Sequence, residues 1–208
     1  MELLSKKLGR LIRARGISGE DEDVLSYGLF IFLAGAEQLV ILLAIALLFG
    51  FIFQMACFVL CYSLLKRNIG GWHTQGHAAC VVCYTLLATA MTFLSTYLPG
   101  AVIIPVSAVC VLFAVVVIWI RAPVEHPNRP LSPEVRIKLR RAGRGAAAAL
   151  SVCVTAALVA GGSTGAGRYA LCGALGMMAA ASTLLIPIRL SSKEDQFSEE
   201  GGEKHEEV

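Results

Sequence analysis

Long, nearly uncharged apolar runs alternate with short basic segments along this chain, and that alternation leaves few folds open. A run of roughly 18 or more residues with few charges is the mark of a helix that crosses a bilayer. Composition agrees: the 208 residues are 56% hydrophobic and 16% charged, whereas soluble domains are ~25% charged and ~45–50% apolar. The mean hydropathy is +0.69. The fold class is therefore an all-α polytopic membrane protein, embedded in the lipid bilayer.

The runs predict about six transmembrane helices, near 25–49, 51–65, 77–98, 101–120, 146–162 and 169–188, inside a single membrane domain over 1–190. The second run is short: its length rises only ~22 Å against a hydrocarbon thickness of ~30 Å. The segment after it is expected to begin below the headgroups. Residues 1–15 set Leu3, Leu4, Leu8, Leu11 and Ile12 at helical spacing among Lys and Arg, which reads as an N-terminal amphipathic helix lying on the membrane surface. No cleavable signal peptide is expected, because that basic start leads into Ser18-Gly19-Glu20-Asp21 and not into an apolar stretch. The tail over 191–208 is acidic and poor in apolar residues, so it reads as a disordered cytoplasmic extension.

Lys and Arg fix the expected orientation. With a cytoplasmic N-terminus, the inner segments hold Lys6 to Arg15, Lys66, Arg67, the cluster from Arg121 to Arg144, and Arg189, Lys193 and Lys204. Only Arg168 falls outside, a strong positive-inside pattern with both termini in the cytoplasm of a cell-membrane protein. The net charge of +3 comes with no nucleic-acid motif, so no nucleic-acid partner is expected. No internal repeat supports an inverted-repeat transporter.

Of seven cysteines, Cys57, Cys61, Cys110, Cys153 and Cys172 lie within apolar runs, where a thiol packs as a small hydrophobe. Cys80 and Cys83 instead follow the polar stretch from Lys66 to His77. Three glycines there oppose a regular helix, and Thr74 is the expected N-cap of the third span, which puts Cys80 in its second turn. A helix start and a nearby imidazolium both favour the thiolate that cysteine chemistry needs. Two bases compete. On a straight helix His77 lies ~4.5 Å from Cys80 along the axis and His73 ~10.5 Å, so spacing alone favours His77. A metal site built from His73, His77 and Cys80 or Cys83, and a Cys80/Cys83 redox pair, are weaker readings of the same residues.

Gly70-Gly71-Trp72-His73 followed by Cys80 resembles the Gly-Gly-aromatic-His-x6-Cys core of the accessory gene regulator B (AgrB) family, membrane proteases that mature AgrD-type autoinducing peptide precursors. Tyr27-Gly28-Leu29 at the first span, and Ala122-Pro123 through Asn128-Arg129-Pro130-Leu131, are similar to two flanking family stretches. The resemblance covers most of the chain in order and implies His73 and Cys80 as the catalytic pair, with His77 kept as the alternative base. It also implies a basic residue about seven before the His. Lys66 holds that place and Arg67 stands one position off. The family's small hydroxyl residue four after the Cys is Tyr84 here.

The implied activity is that of a cysteine endopeptidase removing the C-terminal part of a small quorum-sensing precursor through an acyl-enzyme thioester. Attack by the substrate's own cysteine would then close a cyclic thiolactone. Gly70, Gly71 and Thr74, with Lys66 and Arg67, are oxyanion or substrate candidates. So is Glu37, an ionisable group near the middle of the first span. An AgrD-like peptide is the implied partner, a homodimer the implied assembly, and no metal or other cofactor is implied. The alternative is a non-enzymatic peptide transporter or export scaffold.

Overall fold

The computed structural model describes residues 22–71, 76–124, 132–162 and 165–186, the side chains of residues 22–24 and 27 excepted. The amphipathic helix expected at 1–15, His73 and Thr74, residues 125–131 and the acidic tail lie outside them.

Six helices account for nearly all the described chain: α1 (Glu22–Phe49), α2 (Ile52–Ile69), α3 (His77–Tyr97), α4 (Gly100–Arg121), α5 (Pro133–Gly161) and α6 (Gly165–Ser182). Among the described residues there is no strand, and an isolated bridge joins Gly70 to Val124. Four helices, α1 from Gly28 onward, α3, α4 and α5, are long and apolar enough to cross a membrane. The other two are 18 residues each. α2 loses apolar character to Lys66 and Arg67 in its last turn, and α6 is largely Gly and Ala.

α2 runs on to Ile69, past the expected end near 65, and α6 covers Gly165–Ser182 where 169–188 was expected; two further differences have a plain physical reason. α5 starts at Pro133, well before 146, because Ser132 caps it, its Oγ accepting from Val135 N at 3.4 Å, and Pro133 occupies the first turn. Its basic first half is thus helix continuous with the span, where the apolar pattern alone marks only the second half. α3 starts at His77 with Gly76 in the cap position, so the expected cap at Thr74 is corrected. Cys80 consequently closes the first turn of α3, not the second, its N–H donating to Gly76 O at 3.2 Å.

α6 sits at the centre, packed on α2, α3, α4 and α5, while α1 packs on α2 and α3. The centre is built on small residues: a Cβ at Gly176 would lie 2.6 Å from the Phe58 carbonyl oxygen, and one at Gly173 would lie 3.2 Å from Cys61 Sγ. Such residues let helix backbones approach, which lipid makes the main route to helix association. A small polar cluster sits within this core. Ser95 Oγ lies 3.3 Å from Cys172 Sγ, and Cys172 Sγ 3.8 Å from Thr92 Oγ1. Cys61, Cys110 and Cys172 are buried, as their apolar setting suggests, whereas Cys153 is exposed.

The ends of α3 and α6 are tied in antiparallel fashion. Arg168, in the first turn of α6, donates to the carbonyls of Ser95 and Thr96 in the last turn of α3, where a cation also meets the negative end of the helix dipole. The opposite end, where α3 starts and α6 finishes, carries the candidate chemistry.

Candidate functional site

The site begins where α2 stops. Gly70 caps that helix at φ +69°, its N–H donating to Lys66 O at 3.3 Å. A Cβ there would lie 2.5 Å from Val124 O, and one at Gly71, at φ +98°, would lie 2.8 Å from Thr183 Oγ1. Both glycines are therefore required by conformation and by space together. They let the chain pass between Val124 on one side and Thr183 on the other, and Val124 N donates to Ile69 O at 3.1 Å. The Gly-Gly pair and the Ala122-Pro123 stretch, far apart in sequence, thus meet at one end of the bundle.

Lys66 turns toward the same place. Its Nζ donates to Thr183 Oγ1 at 2.8 Å, and Thr183 lines the same cavity as Cys80. Arg67, one residue on, is exposed. Of the two candidate cations, Lys66 is the one bonded to a residue that lines the cavity beside Cys80.

Cys80 is exposed and stands at the end of the first turn of α3, where the preceding amides have no acceptor within the helix and the dipole is positive. It borders a cavity of about 290 Å³ that runs between α3 and α6. From α3 the walls are Cys80, Cys83, Tyr84, Leu87 and Met91. α2 adds Tyr62, whose ring lies 4.8 Å from that of Tyr84. Met178, Ala179, Ser182 and Thr183, with Ile186 just beyond, close the side formed by α6.

His77 and Glu37 form a separate pair. His77 Nε2 lies 2.7 Å from Glu37 Oε2, and the imidazole meets Phe30 edge-on at 5.5 Å. Beside it Gln38 Nε2 donates to Thr85 Oγ1 at 2.9 Å. These contacts latch α1 onto α3, and His77 is not among the residues that line the Cys80 cavity. The structure thus gives His77 a carboxylate partner on α1, and Glu37 a described partner in His77. His73 and Thr74 lie outside the described residues. Cys80 and Cys83 are both free thiols, and among the described residues no three His, Cys, Asp or Glu side chains gather as metal ligands.

Sequence reasoning missed Thr183, which binds Lys66 and covers Gly71, and the α6 wall of the cavity. The α3 wall carried a signal, since Cys80, Tyr84, Leu87 and Met91 recur at i, i+4, i+7 and i+11. For α6 no such stripe exists, because that helix is buried on nearly every side.

Fold and site together define an all-α polytopic membrane protein with an exposed cysteine bordering a cavity between two of its helices. The family model for accessory gene regulator B matches residues 4–186, and the chain belongs to that family. Two Clostridium perfringens proteins whose names describe them as AgrB-like are similar to it. The one from strain SM101 is 22% identical over 149 residues, and the one from strain 13 is 20% identical over 149, each alignment covering 69% of this chain and 70% of the relative. No solved structure matches the chain with significance. Membership links the protein to quorum-sensing peptide processing in the accessory gene regulator system.

Proposed function

We propose that this protein is a membrane-embedded cysteine endopeptidase that cuts the C-terminal part from a small AgrD-like precursor peptide. The observation that carries the reading is the position of Cys80. It is an exposed thiol at a helix start, within the field of the Lys66 ammonium and at the mouth of a cavity able to take substrate. Family membership supplies the substrate class.

In this mechanism His73 accepts the Cys80 proton, a role that contributes ~10²–10⁴-fold when the base is well positioned. The Cys80 thiolate attacks a backbone carbonyl, the C-terminal fragment leaves as an amine, and an acyl-enzyme thioester remains. Lys66 and the amides at the start of α3 stabilise the oxyanion as its charge develops. Attack by the substrate's cysteine thiol on the thioester releases Cys80 and closes a thiolactone, with one thioester exchanged for another. A site within the lipid boundary limits competition from water, which would give a linear acid. His77, held by Glu37, supports the docking of α1 in this scheme, and the base is His73.

The Lys- and Arg-rich segments between the apolar runs support a cytoplasmic position for this site and for both termini. The substrate approaches from that leaflet, and the assembly is a homodimer. Co-expression with a precursor, followed by intact-mass measurement, tests the chemistry. The expected result is a covalent adduct on Cys80 in wild type, and in Cys80→Ser at least a ~100-fold loss of cleavage with substrate still bound. Cleavage by Cys80→Ser at the wild-type rate would overturn the proposal.

A further inference from the structure

The cavity beside Cys80 is mostly apolar, with the Tyr62 and Tyr84 rings along its walls and most of its other polar groups toward the Cys80 end. At its mouth stand the Cys80 thiol and the Ser182 and Thr183 hydroxyls, with Lys66 bonded to Thr183. Away from that end the walls are Leu87 and Met91 from α3 facing Met178 and Ala179 from α6. Along the helix axis, Leu87 lies about 10 Å and Met91 about 16 Å below Cys80, at 1.5 Å per residue. The volume of about 290 Å³ lies at the lower edge of the ~300–1,000 Å³ of small-molecule sites. It suits one or two side chains rather than a folded ring.

We propose that this groove is the specificity site for the acyl half of the precursor, receiving a large apolar side chain from the residue just before the scissile bond. This rests on the peptidase reading of Cys80. A carbonyl under attack by Cys80 sits at the polar mouth, and the side chain of the same residue branches one carbon away, so it enters the groove that the thiol borders. Peptide and lipid differ in what they need from such a site. A peptide places a polar backbone at the mouth and an apolar side chain beneath it, which is the order found here, whereas a lipid tail has no use for the thiol, hydroxyls and ammonium at the entrance. Leu87, Met91, Met178 and Ala179 then set the preference, and Ala179 sets the width, as the smallest of them. A charged residue in this position of the precursor would carry its charge into a largely apolar groove, at a cost in desolvation.

The test uses the full-length protein in detergent or nanodiscs and two synthetic precursors that differ only before the scissile bond, Leu in one and Ala in the other. Wild type is expected to favour Leu by about tenfold or more in kcat/KM, the scale set by methylenes in an apolar pocket. Ala179→Leu fills the groove and is expected to bring that ratio to one or below. Met91→Ala deepens it and is expected to raise the relative rate for a precursor with Trp at that position, which keeps the proposal testable if Ala179→Leu fails to fold. Equal kcat/KM for Leu and Ala in wild type overturns the proposal, as does an equal response of both precursors to Ala179→Leu. An acyl chain found in the groove by native mass spectrometry, with no change in precursor preference on filling it, also overturns it. Cys80→Ser separates the two readings. If that variant still cleaves, both fall, whereas Cys80-dependent cleavage with no preference sinks only the specificity site.

Discussion

Helices α1 and α6 invert what a water-soluble protein teaches about burial. α1 is long and rich in Leu, yet Leu39, Val40, Leu43, Leu47 and Leu48 stand on its open surface, Leu48 at 78% exposure. α6 is short, spelled largely in Gly and Ala, and buried along most of its length, with Leu171, Cys172 and Ala174 fully enclosed. In water the apolar helix would be driven inside. In lipid the surroundings are as apolar as Leu, so hydrophobicity marks what may face outward, and close backbone approach decides what lies at the centre. Helix α1 buries little beyond Leu42 and Ala46 and adds polar contacts from Glu37 and Gln38 to α3, whereas α6 packs along most of its length through small residues and is tied to α3 by Arg168 at its start.

This contrast can be broken at α6 first. Gly176→Leu drives a side chain into the Phe58 carbonyl, 2.6 Å from where its Cβ must go. It should cost about 3 kcal/mol, the upper part of the range for overpacking, read as early thermal unfolding or loss of a monodisperse peak in detergent. An unchanged melt would mean that α6 is not packed by backbone approach. Gly70→Ala comes next. Its positive φ and the Val124 carbonyl at 2.5 Å predict a loss of ~1–3 kcal/mol, together with slower precursor processing, because the same turn carries Lys66 and the approach to Cys80. Processing at the wild-type rate would detach that turn from the site.

The α1 side of the comparison should respond weakly. A double-mutant cycle on Glu37 and His77 should read a coupling of about 0.6 kcal/mol, the average for interhelical polar pairs in a membrane bundle. A coupling of zero would remove the latch. Single Glu37→Gln also sharpens the functional question, since full processing by that variant leaves the carboxylate with a packing role alone. The smallest effect is expected from Val40→Ala, whose side chain is 66% exposed. It should stay within ~0.5 kcal/mol of wild type, and a larger loss would mean that this face of α1 is covered by something other than lipid.

Much of the fold was legible because its cause is local. The apolar runs announced six helices, and the Ser132-Pro133 pair carried the start signal of α5, although a reading of apolar length alone passed over it. Cys80 could be singled out by the polar break before it. Its partners were harder to see. Thr183 lies 117 residues from Lys66, and nothing in the pattern around it marks it as a site residue. A straight-helix count favours His77 over His73, and what spacing could not show is that the His77 imidazole meets a carboxylate from another helix.

By itself, then, the sequence determined that this chain lives in lipid, that its segments are helical, and that a glycine-rich polar break precedes Cys80, since hydropathy and backbone preference are properties of neighbours along the chain. Only the tertiary structure decided which helix is central, that Lys66 meets Thr183 and what lines the space beside Cys80. Those outcomes depend on where small residues let backbones meet, a relation between distant segments that no window along the chain contains.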